Sequence, residues 1–188
     1  MKKANLIAEP GKHEIIMARV FAAPRELVFK VMTDPNLIPQ WWGQRNKTTI
    51  VDKMDVQAGG LWRYILRDQH GNEFAFHGVY HSITAPERVI DTFEFEGMPD
   101  HVILETMTLE AQTDGTTKVT VSSVFQSVAD RDGMLSSGME AGANEQVSFE
   151  LWNDPQRGDG IGMPHPVFCW RDARLVVDDG DRSARHRN

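Results

Sequence analysis

Cysteine is almost missing from this chain: Cys169 stands alone among 188 residues. One thiol excludes an internal disulfide framework and any metal centre built from several cysteines. Long apolar runs are missing too, and none approaches the ~20 residues of a membrane-crossing helix. The opening stretch meets Glu9 and Pro10 before an apolar leader core could form, so no signal peptide is expected. Basic residues are in deficit, with 20 Lys plus Arg against 27 Asp plus Glu. The resulting charge of −7 argues against a broad nucleic-acid face. No Gly-x-Ser-x-Gly elbow occurs, and Gly59-Gly60 reads as a turn rather than a phosphate-binding loop. The expectation is a soluble, acidic, cytoplasmic protein with no membrane span, no nucleic-acid partner and no cofactor.

The charges that are present are unevenly spread. Residues 153–188 hold six Asp and six Arg but no Lys and no Glu, so the whole net charge lies in the first 152 residues. Pro155, Pro164 and Pro166 fall among Gly158, Gly160 and Gly162, a composition that precludes a long helix. Residues 8–152 read as one folded domain and 153–188 as an atypical C-terminal extension. Within the extension, the apolar stretch Val167–Val177 is expected to pack back on the body or on a second subunit, which makes a homodimer possible.

Element by element, residues 13–21 alternate and form a first strand. Pro24-Arg25-Glu26 opens a helix whose apolar stripe is Leu27, Val28, Val31 and Met32, and Asp34-Pro35 ends it. A short second helix runs to Trp41-Trp42-Gly43. Six extended segments follow, at 46–55, 60–68, 73–83, 88–96, 101–112 and 116–126, joined by turns rich in Gly, Pro and Asp. Ser127-Val128-Ala129-Asp130 resembles a capping box and opens a long helix carrying Met134, Leu135, Met139 and Ala143. The order is one strand, two helices, six strands and one helix, an α+β fold with an antiparallel sheet.

Alternate side chains of a strand share a face. Trp62, Tyr64 and Leu66 oppose Arg63 and Arg67, while Phe76, Gly78 and Tyr80 share a side. A sheet with one aromatic face, closed by a Met-bearing helix, encloses either a dense core or a cavity. Five Trp and nine Met in 188 residues favour a cavity for a variable apolar ligand. The expected lining is Trp42, Trp62, Tyr64, Phe76, Tyr80, Phe93, Met107, Phe125, Met134 and Met139. His77 and His81 have a helical metal spacing but sit on a strand, where four residues span ~13 Å, so no metal site is expected. Tyr64, Tyr80, His77, Asp91 and Glu105 are the groups available for acid–base work, and no motif singles any of them out.

Several motifs together resemble one family. Ala23-Pro24-Arg25-Glu26-Leu27-Val28-Phe29, Trp41-Trp42-Gly43, Gly59-Gly60-Leu61-Trp62-Arg63-Tyr64, Phe76-His77-Gly78-Val79-Tyr80 and Pro86-Glu87-Arg88-Val89-Ile90 occur in order. Phe95-Glu96-Gly97 and Arg131-Asp132-Gly133-Met134 complete the series. They are similar to the SRPBCC (START-like) superfamily and, within it, to the activator of heat-shock protein 90 ATPase homologue family. The resemblance implies a helix-grip fold, a curved antiparallel sheet wrapped around a long C-terminal helix. It also implies hydrophobic small-molecule or lipid binding between sheet and helix. The alternatives it implies are a cyclase or dehydratase using the same cavity, or an interaction protein of the chaperone-ATPase-activator kind. After Gln146–Trp152 the chain departs from the family's pattern.

Overall fold

The computed structural model describes residues 4–44 and 46–136, with a further backbone strand at 173–175. The elements run β1 (Ala4–Ile7), β2 (Glu14–Phe21), α1 (Arg25–Thr33), α2 (Ile38–Trp41), β3 (Thr48–Met54), β4 (Leu61–Arg67), β5 (Glu73–Thr84) and β6 (Arg88–Phe95). Then come β7 (Ile103–Ala111), β8 (Thr117–Val124), α3 (Val128–Met134) and β9 (Ala173–Leu175). One nine-stranded sheet has the order β3-β4-β5-β6-β7-β8-β2-β1-β9. Every pairing is antiparallel except β1 with β9.

The α+β class and the six consecutive strands agree with the sequence reading. Two strands add to the expected order. β1 is only four residues long, too short to show a period, yet Leu6 pairs with Met17 and both are buried. β9 is shorter still and lies in the extension, where three residues of the stretch expected to pack back pair with β1. The long closing helix expected from the sequence falls mostly outside the described residues, which hold α3 and the turn after it.

Local chemistry explains the three helices. Pro24 caps α1, its carbonyl accepting from the N–H groups of Leu27 and Val28, and Val28, Val31 and Met32 bury the expected stripe. Thr33 folds its hydroxyl back onto the Phe29 carbonyl at the last turn. α2 is tied to α1 by the Trp41 indole, which donates to the Val31 carbonyl at 3.0 Å. At α3 the Ser127 hydroxyl accepts from the Asp130 N–H at 3.0 Å and donates to the Asp130 carboxylate, the expected capping box. The guanidinium of the next residue, buried Arg131, donates to the Glu9 carbonyl at 3.0 Å and so fastens α3 to the segment after β1.

All three helices contribute to clusters on one face of the sheet. α1 packs with Phe21, Leu109, Val119 and Val121, while Ile38 of α2 packs with Trp62, Tyr64, Tyr80 and Val89. Met134 packs beside Leu6, Ile15, Met17, Ile103 and Phe125. We call this the inner face.

Gly78 of β5 is a point of close approach. It pairs with Trp62, whose side chain crosses over it. A Cβ on Gly78 would run into the Thr92 carbonyl oxygen and lie 2.7 Å from the Trp62 indole nitrogen. Gly133, within α3, has nothing within 4 Å of its notional Cβ. Gly78→Ala is therefore expected to cost about 1–3 kcal/mol by overpacking, whereas Gly133→Ala is expected to gain about 0.5–1 kcal/mol by helix propensity. Urea unfolding of both variants checks this, and equal effects of the same sign would contradict it.

Candidate functional site

Strand register, more than sequence proximity, assembles the site. Trp62 and Tyr64 on β4 stand opposite Gly78 and Phe76 on β5, and Phe76 stands opposite Phe95 on β6. Their rings interlock. Trp62 lies 4.8 Å from Tyr64 and 5.9 Å from Phe93, and Phe76 lies 5.5 Å from Phe93 and 5.0 Å from Phe95. Trp42, just past α2, meets Tyr64 and Phe76 edge-on at 5.1 and 5.3 Å. Edge-on and tilted contacts at these separations are favourable arrangements of ring quadrupoles.

Seven of the ten expected lining residues meet here: Trp42, Trp62, Tyr64, Phe76, Tyr80, Phe93 and Met107. Phe125 and Met134 lie in the neighbouring cluster around Ile15 and Ile103, joined to the first through Phe93, which packs against both. Met139 lies outside the described residues. Trp62, Tyr64, Tyr80 and Phe125 are buried, and the other described members are half-buried.

A row of polar groups crosses this apolar face. Tyr80 of β5 stands opposite Asp91 of β6, Asp91 opposite Glu105 of β7, and Glu105 opposite Ser123 of β8. The rows on either side are apolar: Val89, Met107 and Val121 to one side, Phe93 and Ile103 to the other. The Trp62 indole N–H donates to Asp91 Oδ2 at 3.1 Å, and the buried Ser123 hydroxyl donates to Glu105 Oε1 at 2.7 Å. The Tyr64 and Tyr80 hydroxyl oxygens are 3.5 Å apart, at the outer limit for a hydrogen bond. Asp91 and Glu105 keep some accessible area, yet protein atoms surround both almost completely.

Burial therefore governs the ionisation of all four titratable groups. It pushes Asp91 up to about 8, helped by the charge of Glu105 and opposed by the Trp62 hydrogen bond. Burial also raises Glu105, against the Ser123 hydrogen bond. Tyr80 is pushed up to about 12 and Tyr64 is raised further, so both phenols stay protonated at neutral pH.

Of the groups considered for acid–base work, four converge and one does not. His77 lies on the opposite face, where its ring nitrogens approach Glu94 at 3.3 Å and Glu96 at 3.6 Å. The row itself was not an expected lining feature. A signal existed, since Asp91 shares its parity with Val89 and Phe93, but matching it to Glu105 and Ser123 requires the register.

A family model described as Activator of Hsp90 ATPase homolog 1-like protein matches residues 22–151. Among solved structures, a Rhodobacter sphaeroides protein is similar at 22% identity and a TM-score of 0.67, over 73% of this chain and 88% of that one. An Arthrobacter aurescens protein is similar at 24% identity and 0.64, over 69% and 78%. A Chromobacterium violaceum protein is similar at 24% and 0.58, over 66% and 89%. These likenesses show a shared α+β fold with a large antiparallel sheet, consistent with a START-like fold. No curated protein matches the chain.

The raised carboxyls make a signed prediction. Between the unfolded value of about 4 and the folded value of about 8, the folded chain holds a proton at Asp91 that the unfolded chain releases. This contribution to stability is present in full below about pH 4 and is lost as pH rises through about 8. Asp91→Asn, which keeps an acceptor for Trp62, should remove that loss and gain on the order of 4 kcal/mol relative to wild type between pH 5 and pH 9. Urea unfolding at both pH values measures the difference, and parallel behaviour of the two proteins would contradict it.

Proposed function

The chain belongs to the Activator of Hsp90 ATPase homolog 1-like protein family, and on that footing we propose that it binds a hydrophobic small molecule or lipid on the inner face of the sheet. The observation that carries this reading is the interlocked aromatic set of Trp42, Trp62, Tyr64, Phe76 and Phe93 with a polar row running through it. Binding sites for organic molecules combine an apolar surface with a few convergent polar groups that fix orientation. A core that served stability alone would gain nothing from two carboxyls without cationic partners.

The binding unit is residues 8–152, with 153–188 as an appended segment. The cyclase or dehydratase alternative has no supporting feature among the described residues, where no observation assigns a reacting atom. The chaperone activity in the family's name likewise finds no supporting feature among the described residues. No helix among them is long and apolar enough to cross a membrane.

A neutral apolar dye, N-phenyl-1-naphthylamine, provides the test. It should bind with enhanced emission and accept energy from tryptophan. Phe76→Ala and Phe93→Ala should each weaken binding about tenfold, by the area and stacking they remove. Leu104→Ala, at an exposed position on the other face, should leave binding unchanged. Absence of dye binding, or equal losses in all three variants, would overturn the reading.

A further inference from the structure

The polar row has a charge imbalance that the apolar-ligand reading leaves unexplained. Asp91 and Glu105 are cross-strand neighbours on the inner face. Neither has a cationic partner among the described residues. The lysines and arginines in ion pairs there meet other acids: Arg25 meets Glu26 and Glu87, Arg63 meets Asp52 and Glu96, Arg67 meets Glu73, Lys118 meets Glu110, and Arg131 meets Asp132. Arg19 of β2, whose parity places it on the inner face, lies over the Phe21 ring at 5.4 Å.

The groups packed around the pair supply the rest of the argument. Ser123 from β8 donates to Glu105 and Trp62 from β4 donates to Asp91, so each carboxyl has a single neutral donor. Two ionised carboxylates ordinarily carry about four acceptor sites each. From β5, Tyr80 stands opposite Asp91, and Tyr64 of β4 lies against it. Both phenols are more than nine-tenths buried, and their only mutual contact is the 3.5 Å approach, so their hydrogen-bonding capacity is largely unspent. The rings of Trp62, Phe93 and Phe76 pack against one another beside this patch. Unspent acceptors beside aromatic rings leave this patch able to receive positive charge in a low-dielectric setting. A hydrophobic cation gains there from ion pairing and from the rings at once.

We propose that the ligand is an apolar body bearing a protonated amine, and that Asp91 and Glu105 receive the amine while Tyr64 and Tyr80 complete its hydrogen bonds. The inference rests on the ligand-binding reading above and specifies its ligand class. An arriving cation restores the charge the pair lacks, so the proton that burial retains on the carboxyls leaves when the amine binds.

Three isosteric probes test it: 2-naphthylmethylamine, 2-naphthylmethanol and 2-naphthoate, titrated calorimetrically into the full chain at pH 7. The amine should bind at least about tenfold more tightly than the alcohol, and the acid weakest of all. Repeating the amine titration in buffers of different ionisation enthalpy should reveal proton release. Asp91→Asn combined with Glu105→Gln should bring amine and alcohol within about threefold of each other. These substitutions keep shape and remove a burial cost, and a thermal melt checks that the variant is folded. If the variant does not fold, the alcohol comparison and the proton release in the wild-type chain decide the matter. Equal binding of alcohol and amine, no proton release, or an amine preference that survives both substitutions would overturn the proposal while leaving the apolar site in place. Failure of all three probes to bind would overturn the ligand-binding reading itself.

Discussion

The interaction on which the rest of this molecule turns is the contact between two carboxyls, Asp91 and Glu105, set side by side across β6 and β7 on the covered face of the sheet. Placing two acids there works against folding, because burial and mutual repulsion both oppose ionisation. The fold accommodates the pair without neutralising it. One donor from each side, Trp62 and Ser123, satisfies part of each carboxyl, and the proton held on the pair disposes of part of the charge. Everything nearby is arranged to keep that partial solution in place.

Gly78 shows how. Trp62 reaches Asp91 only because β5 offers no side chain beneath the indole, and a methyl group there would meet both the indole nitrogen and the Thr92 carbonyl. The Thr92 hydroxyl, in turn, accepts from the Val79 N–H at 3.0 Å where the β5–β6 ladder is irregular. Beyond Tyr80 the register shifts by one residue, between Tyr80 and Ser82. The aromatic residues of β4 and β5 therefore converge on Asp91 as a consequence of one small residue and one local break in pairing. α2 seals this end, with Ile38 almost fully buried among Trp62, Tyr64, Tyr80 and Val89.

Much of this was legible in the sequence, and the illegible part has a physical reason. Period-two alternation found β3 to β8 because each strand has one covered face, and the turns that join them announce themselves by composition. Pro24 and Ser127 marked helix starts because capping chemistry is local. β1 and β9 escaped because three or four residues carry no period, and their partners lie far away in the chain. Most of the aromatic cluster was readable from parity within single strands. The polar row was not. Asp91, Glu105 and Ser123 each look like an ordinary strand residue, and only pairing across three strands makes them neighbours.

β6 and the residue just past it carry acids on both sides of the sheet. Asp91 faces inward, while Glu94 and, just past the strand's end, Glu96 belong to the outer side. Outside, Arg63 grips Glu96 through two nitrogens at 2.6 and 2.9 Å and holds its carboxyl below the usual range, and the arginine is itself raised by that bond. Inside, Asp91 is pushed the opposite way by burial and a second acid. The same chemical group, five residues apart on one segment, thus meets opposite electrostatic treatment according to the face it occupies. Among the described residues, no basic side chain pairs with the inner two. Two acids set beside aromatic rings on the covered face, with no basic partner among the described residues, oppose folding in a way that closing a core does not require.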